Sequence, residues 1–264
     1  MSSILKPFTL IAGPCVVESP ELLNQVCETI APIARDCQFD FVFKSSYRKA
    51  NRTSIKGFTG IGDEHALEYI RTVANVHGVK SLTDIHESHE ANLAAKYVDI
   101  LQIPAFLCRQ TELLQAAGAT GKIVNIKKGQ FLAPDDMGKQ AEKAEKAGAC
   151  TVWLTERGTT FGYHDLVVDF RSLLVMKETG HPIIYDATHS LQLPGGGEQS
   201  GGLRAFIKPL ARAAMAVGIN GIFIETHPHP EMALSDAATQ FPLSHMKDFL
   251  HELAQLRHVI ASFE

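Results

Sequence analysis

Eight short apolar, β-branched runs recur at intervals along the chain, and no other feature restricts its fold as strongly. They are Thr9–Ala12, Phe41–Phe43, Val79–Thr83, Val98–Ile103, Ile123–Ile126, Thr151–Leu154, Pro182–Tyr185 and Gly221–Ile224. Their hydrophobicity is nearly continuous rather than alternating, as in parallel strands covered on both faces. Segments of helical periodicity lie between them: Glu21–Arg35, Asp63–Val76, Glu87–Lys96, Arg109–Ala117, Asp135–Ala147, Val167–Lys177, Leu203–Val217 and Leu243–Ser262. Glu21–Arg35 carries Leu22, Val26, Ile30 and Ile33 at helical spacing, behind the entry signal Ser19-Pro20. Strands alternating with helices over 264 residues, with no linker or shift in composition, predict an α/β fold: a single (β/α)8 TIM barrel domain over residues 1–264. A doubly wound sheet is the runner-up, but no Gly-x-Gly-x-x-Gly opens a helix after the first strand. The run from Gly195-Gly196-Gly197 to Gly201-Gly202 reads instead as a flexible loop after the seventh strand.

Composition narrows the partners. The chain is 45% hydrophobic, enough for a substantial core, and its formal net charge of −4 argues against nucleic acid or an anionic membrane. The basic cluster Lys44, Arg48, Lys49, Arg52, Lys56 is short and mixed with small polar residues, which suits a phosphate pocket. No signal peptide or membrane-length apolar run is present, and the odd count of five cysteines (15, 27, 37, 108, 150) reads as reduced thiols in a cytoplasmic protein. Cys27, Cys37, Cys108 and Cys150 are expected to be packing residues.

In a barrel of this kind chemistry sits at the C-terminal ends of the strands. Those ends supply Cys15, Lys44, Asp84, Gln102, Lys127 with Lys128, Arg157, Asp186 with His189, and Glu225, with Asp236 just beyond. Cys15, His189, Glu225 and Asp236 offer the thiolate, imidazole and carboxylate donors that a divalent transition metal takes. Such a site accepts zinc, iron, manganese or cobalt, and the donors alone do not choose among them. His227 and His229 are competing ligands in a loop stiffened by Pro228 and Pro230. Lys44, Lys49, Lys127 and Arg157 bring cations together, which calls for an anionic ligand such as a phosphate or carboxylate.

Longer motifs then carry a family resemblance. Ile11-Ala12-Gly13-Pro14-Cys15, Lys44-Ser45-Ser46, Lys49-Ala50-Asn51-Arg52-Thr53-Ser54, Thr83-Asp84-Ile85-His86-Glu87-Ser88 and Gln102-Ile103-Pro104-Ala105 resemble the 3-deoxy-D-manno-octulosonate 8-phosphate synthases. Lys127-Lys128-Gly129-Gln130, Thr155-Glu156-Arg157-Gly158, Asp186-Ala187-Thr188-His189, Glu225-Thr226-His227-Pro228 and Leu234-Ser235-Asp236-Ala237 extend the likeness over essentially the whole chain. The resemblance implies condensation of phosphoenolpyruvate with arabinose 5-phosphate, releasing phosphate, for the Kdo sugar of lipopolysaccharide. Cys15 stands where a metal-free branch of that family carries asparagine, so the chain is similar to the metal-dependent branch.

By the same resemblance Cys15, His189, Glu225 and Asp236 bind the metal. Ser46, Lys49, Lys127 and Arg157 hold phosphoenolpyruvate, and Lys44 sits near the aldehyde. Asn51, Arg52 and Thr53 grip the sugar and its phosphate, Arg52 reaching across a homotetramer. Asp84 contacts the sugar hydroxyls, Gln102 is an expected substrate-binding residue, and Lys44, Asp84 and His189 are the expected catalytic residues. His229 stands where some members carry an acid, and the Gly195–Gly202 loop is shorter than in some. The nearest alternative is the sister synthase acting on erythrose 4-phosphate, whose loop typically reads Lys-Pro-Arg-Thr where this chain has Lys49-Ala50-Asn51-Arg52-Thr53. A Schiff-base aldolase using Lys44 or Lys127, and a non-catalytic metal or phosphate sensor, are more distant ones.

Overall fold

A computed structural model describes residues 5–50, 55, 57–193 and 201–263. Its centre is a closed barrel of eight parallel strands: β1 (Thr9–Gly13), β2 (Asp40–Lys44), β3 (Lys80–Asp84), β4 (Ile100–Ile103), β5 (Ile123–Lys127), β6 (Thr151–Glu156), β7 (Ile183–Asp186) and β8 (Gly221–His227). Each strand pairs with the next, and β8 closes on β1 with Thr9 beside Gly221 and Gly13 beside Glu225. Every expected run is a strand, and most extend one residue or more beyond the apolar stretch, onto the polar group at its end.

Why the runs are continuously apolar is visible in the packing. Side chains alternate across a strand, so one set faces the barrel axis and the other faces the helices. Ile11, Val42, Leu82, Ile100, Trp153, Ile184 and Phe223, with Ile123 packed against them, form a separate cluster inside the barrel. Leu10, Phe43, Leu101, Val124, Leu154, Tyr185 and Ile224 join the larger core between barrel and helices. Both faces are dry, so neither can be polar.

The helices are α1 (Pro20–Asp36), α2 (Asp63–His77), α3 (Glu90–Ala94), α4 (Thr111–Ala119), α5 (Met137–Ala147), α6 (Arg171–Lys177), α7 (Ile207–Val217) and α8 (Met246–Ala261). The Ser19 hydroxyl caps α1 by accepting from Leu22 N at 3.2 Å, with Pro20 in the first turn. Several helices start later than expected, α3 and α6 because of contacts made outside the helix. At α3 the Glu90 carboxylate accepts from His86 N at 2.7 Å and from Tyr47 and Arg48, which makes residues 86–89 the entry turn. At α6, Leu166–Val167 pairs with Thr159–Thr160 as a small antiparallel ribbon, and Asp169 then accepts from Arg171 N at 3.0 Å to start the helix. At α5, α7 and α8 the first expected residues form a 3-10 turn instead.

Of the four cysteines expected to be packing residues, Cys27, Cys37 and Cys108 are buried and Cys150 is exposed. No helix among the described residues is long and apolar enough to cross a membrane.

Gly13 is where the seam between β1 and β2 demands glycine. A Cβ there would lie 1.9 Å from the Lys44 carbonyl oxygen, a backbone atom that cannot step aside. Gly13→Ala should therefore cost on the order of 3 kcal/mol in denaturant unfolding. Gly78→Ala, at a left-handed helix end with open space around it, should cost only about 1 kcal/mol. Equal losses would remove the close approach as the reason for Gly13.

Candidate active site

Two residues beyond each member of the apolar inner cluster, the barrel interior turns polar. The register steps Ile11 to Gly13, Val42 to Lys44, Leu82 to Asp84, Ile100 to Gln102, Ile123 to Asn125, Trp153 to Thr155, Ile184 to Asp186 and Phe223 to Glu225. A directed hydrogen-bond chain links much of this layer. Thr155 donates to the Asn125 side-chain oxygen at 2.7 Å, and Asn125 donates to that of Gln102 at 2.8 Å. Gln102 donates in turn to Asp84, which also accepts from the Ser46 hydroxyl. Lys49 Nζ donates to Ser46 Oγ at 3.0 Å. Every donor points toward the Asp84 carboxylate. Burial opposes ionisation of Asp84, but Lys44, Lys49 and Lys127 outweigh it and hold the carboxyl well below the usual range.

The loop after β1 brings Cys15 to the mouth by pairing with the loop after β2: Ser46 N donates to Cys15 O at 3.2 Å, and Val17 N to Ser46 O at 3.0 Å. One donor atom each from Cys15, Glu225 and Asp236 lies within 4.8 Å of the others. Cys15 Sγ is 3.2 Å from Asp236 Oδ2, and His189 Nε2 stands 3.6 Å from Glu225 Oε1 and 3.8 Å from Asp236 Oδ2. Donors about 2.0–2.3 Å from a shared ion at tetrahedral angles lie roughly 3.5 Å apart, so Cys15, Glu225 and Asp236 are spaced to share one divalent metal, while His189 falls outside that three-residue group and meets only its two carboxylates. Glu225 Oε2 is buried without a hydrogen-bond partner among the described residues, an orphan that a cation would satisfy. Asp236 adopts a left-handed backbone, φ +48°, a conformation that costs about 1 kcal/mol outside glycine and that aspartate tolerates better than most. Without a metal, burial and the neighbouring Asp236 and Glu225 carboxylates push the Cys15 thiol well up. Glu225 behaves oppositely: burial opposes its ionisation, but Lys44 foremost, then His189 and Lys49, lower it to about 2.

Asp186 organises the other side. Its Oδ1 accepts from Thr188 N at 3.1 Å and His189 N at 2.9 Å, while Oδ2 meets Lys127 Nζ at 2.7 Å and His189 Nδ1 at 2.9 Å. Burial would raise its pKa, but His189 and Lys127 hold the carboxyl well below its ordinary value. His189 Nδ1 thus stands between Asp186 Oδ2 and, at 3.3 Å, Lys127 Nζ, which fixes the ring with Nε2 facing Glu225 and Asp236.

Four cations surround this cluster. Lys44 Nζ donates to Glu225 and, at 3.0 Å, to Cys15 O. Lys127 Nζ lies 3.8 Å from the centre of the Phe223 ring, which floors the site from the apolar layer below. Arg157 is buried, and its Nη2 donates to Gln192 Oε1 at 2.8 Å. Its Nη1 is buried with no hydrogen-bond partner among the described residues. Burial pulls the guanidinium below its usual pKa, and no carboxylate lies within ion-pair distance of it among those residues. A buried guanidinium in that condition needs an anion.

The fold thus gathers Cys15, Lys44, Ser46, Lys49, Asp84, Gln102, Lys127, Arg157, His189, Glu225 and Asp236 at one barrel mouth. Asn51, Arg52 and Thr53 lie outside the described residues, as do residues 194–200 of the glycine-rich loop. Neither competing histidine joins the clustered donors. His227 Nδ1 accepts from His229 N at 2.9 Å, and the exposed His229 stands 3.7 Å from Glu231. Three members escaped sequence reasoning. Asn125 hides inside the run Ile123–Ile126 and Thr155 directly follows Thr151–Leu154, although counting two residues on from Ile123 and Trp153 locates them. Gln192, which also donates to Asp236 Oδ1 at 3.0 Å, lies in a loop that carries no sequence signal.

Known proteins resemble the chain along nearly all its length. The DAHP synthetase I family matches residues 5–262. A protein of Cyanothece sp. named 2-dehydro-3-deoxyphosphooctonate aldolase is 52% identical over 257 residues, covering 97% of this chain and 94% of its own. Proteins of the same name from Acidithiobacillus ferrooxidans and Francisella tularensis subsp. holarctica are 50% and 49% identical, over 96% and 97% of this chain and 91% and 94% of theirs. With that extent of match, the chain belongs to the DAHP synthetase I family.

Proposed function

We propose that the chain condenses phosphoenolpyruvate with D-arabinose 5-phosphate, giving 3-deoxy-D-manno-octulosonate 8-phosphate and inorganic phosphate. The observation that carries this reading is the buried Arg157 Nη1, without a hydrogen-bond partner among the described residues, at a mouth that also holds the clustered Cys15, Glu225 and Asp236 donors with His189 beside the two carboxylates. The relatives' shared name supports the eight-carbon product. The alternative reading is the sister synthase that uses erythrose 4-phosphate, and the family is described as DAHP synthetase I. The reading extends to one catalytic domain over residues 1–264 that works in the cytoplasm as a homotetramer, with Arg52 of a neighbouring copy at the sugar phosphate, and so into Kdo and lipopolysaccharide synthesis.

The residues then divide the work. Lys127, Arg157, Ser46 and Lys49 grip phosphoenolpyruvate through its two anionic groups and orient its methylene carbon toward the aldehyde. Asn51, Arg52 and Thr53 hold the sugar phosphate, and Asp84, with Gln102 behind it, takes the sugar hydroxyls. The Lys44 ammonium donates to the aldehyde oxygen as the new carbon–carbon bond forms there and negative charge develops. Water adds to the second carbon of the former enol, and breakage of its bond to the phosphate oxygen leaves the keto acid and free phosphate. Cys15, His189, Glu225 and Asp236 would hold a divalent ion, whose chemistry there would be polarisation of the aldehyde and positioning of water.

Phosphate release from phosphoenolpyruvate should be rapid with arabinose 5-phosphate and slow with erythrose 4-phosphate. It should fall on chelation and return with a divalent metal. A preference for the four-carbon sugar would overturn the substrate assignment, and indifference to the chelator would remove the metal role. Arg157→Ala should raise the KM for phosphoenolpyruvate about 10- to 100-fold, the worth of one charged hydrogen-bond pair, and Arg157→Lys should recover only part. An unchanged KM in both variants would take Arg157 out of the substrate site.

Because the Cys15 thiol holds its proton until a metal displaces it, apparent metal affinity should fall by about tenfold per unit as pH drops. Cobalt binding, followed by thiolate-to-metal absorbance, measures this. Cys15→Ser should abolish the band, and affinity independent of pH would mean that Cys15 is not a ligand.

A further inference from the structure

Lys127 and Lys128 are neighbours in sequence with opposite surroundings. Lys127 turns into the barrel mouth, whereas Lys128 is fully buried under two loops and touches none of the groups proposed for the reaction. Its ammonium lies 3.4 Å from each of the carbonyl oxygens of Gly129, Leu132 and Gly158, 3.1 Å from Thr159 Oγ1, and 3.5 Å from the Glu156 carboxylate. Glu156 is equally buried, accepting from Gly158 N at 2.7 Å and from the Ser172 hydroxyl at 2.5 Å. The backbone is stitched at the same place by Lys128 N donating to Thr155 O at 2.8 Å and Thr160 N to Gln130 O at 3.0 Å.

Arg157 stands in the middle of this clamp. Glu156 precedes it, and Gly158 and Thr159, both held by Lys128, follow it. Gly158 also turns through a left-handed conformation, φ +92°, so the segment bends sharply just after the arginine. Placing a lysine and a glutamate in a dry interior costs desolvation that a pair of apolar residues would avoid. The pair does, however, tie the Gly158 backbone just after Arg157 to the loop after β5, and through Glu156, just before Arg157, it reaches Ser172 of α6. We propose that the buried Lys128–Glu156 pair is a positioning device for Arg157, setting affinity for the anionic group of phosphoenolpyruvate without touching it. This rests on the assignment of Arg157 to phosphoenolpyruvate made above.

The test uses the full-length, metal-loaded protein. Lys128→Met alone leaves Glu156 buried without its partner, so the double variant Lys128→Met/Glu156→Gln is made beside it. Direct calorimetric binding of phosphoenolpyruvate is measured together with melting temperature, kcat and both KM values. The single variant should lose melting temperature and the double variant should regain most of it. Both should bind phosphoenolpyruvate at least tenfold more weakly, with kcat at saturation within threefold of wild type and the KM for the aldose within twofold. In an Arg157→Ala background, Lys128→Met should weaken phosphoenolpyruvate binding by less than twofold further, because the clamp acts through the arginine. A double variant with restored melting temperature and wild-type affinity would make the pair structural only and overturn the proposal. So would an effect of Lys128→Met that adds fully to Arg157→Ala. Wild-type protein that does not bind phosphoenolpyruvate at all would sink the condensation reading itself, and this proposal with it.

Discussion

The register at which β8 closes on β1, with Gly13 set beside Glu225, is the constraint from which the site follows. Closure gives every strand a defined inward face, and the period of two then decides what the interior contains at each height. At one height it is Ile11, Val42, Leu82, Trp153, Ile184 and Phe223, which seal the barrel. One step higher it is Lys44, Asp84, Gln102, Asn125, Thr155, Asp186 and Glu225. A slip of one residue in any strand would drive a charged group into the helix-facing core and turn an apolar one into the mouth. Dry layer and reactive layer are thus held in place by the same pairing.

Charge is handled within that upper layer by local pairing rather than by solvent. Lys127 is held against Asp186, Lys44 against Glu225, and Ser46 and Gln102 against Asp84. Buried groups in such proximity are stable only when each sign meets its opposite. At the mouth, a Glu225 oxygen and an Arg157 nitrogen have no hydrogen-bond partner among the described residues. One calls for a cation and the other for an anion, and they share a single mouth. That pairing of deficits is the physical content of the functional reading, and it links the metal donors to the phosphate-binding side.

Much of this architecture is legible in the order of residues along the chain. Eight β-branched runs locate all eight strands, because residues that face apolar surroundings on both sides must be apolar throughout. The polar residue closing each run is legible for the same reason, since it breaks the pattern. Boundaries set by side chains from elsewhere are not. The start of α3 depends on Glu90 binding Tyr47 and Arg48, forty residues upstream, and that of α6 on Leu166–Val167 finding Thr159–Thr160. His227 and His229 sit as near Glu225 in sequence as any ligand would, yet the His227 ring is buried against the His229 backbone and Glu18 while His229 turns to the surface.

The sequence by itself determined the alternation of strands and helices, the apolar wall of the barrel, and the donor types available at its mouth. These are properties of single residues and of their period along one element. Only the tertiary structure decided which donors meet: Cys15 with Asp236 across 221 positions, Arg157 with Gln192, and Asp186 with both Lys127 and His189. It also decided that Lys127 and Lys128, identical in chemistry and adjacent in sequence, face a reactive mouth and a dry clamp respectively. The reason is that a residue's charge state and partners are set by burial and by neighbours brought from other strands, and those exist only once the barrel has closed.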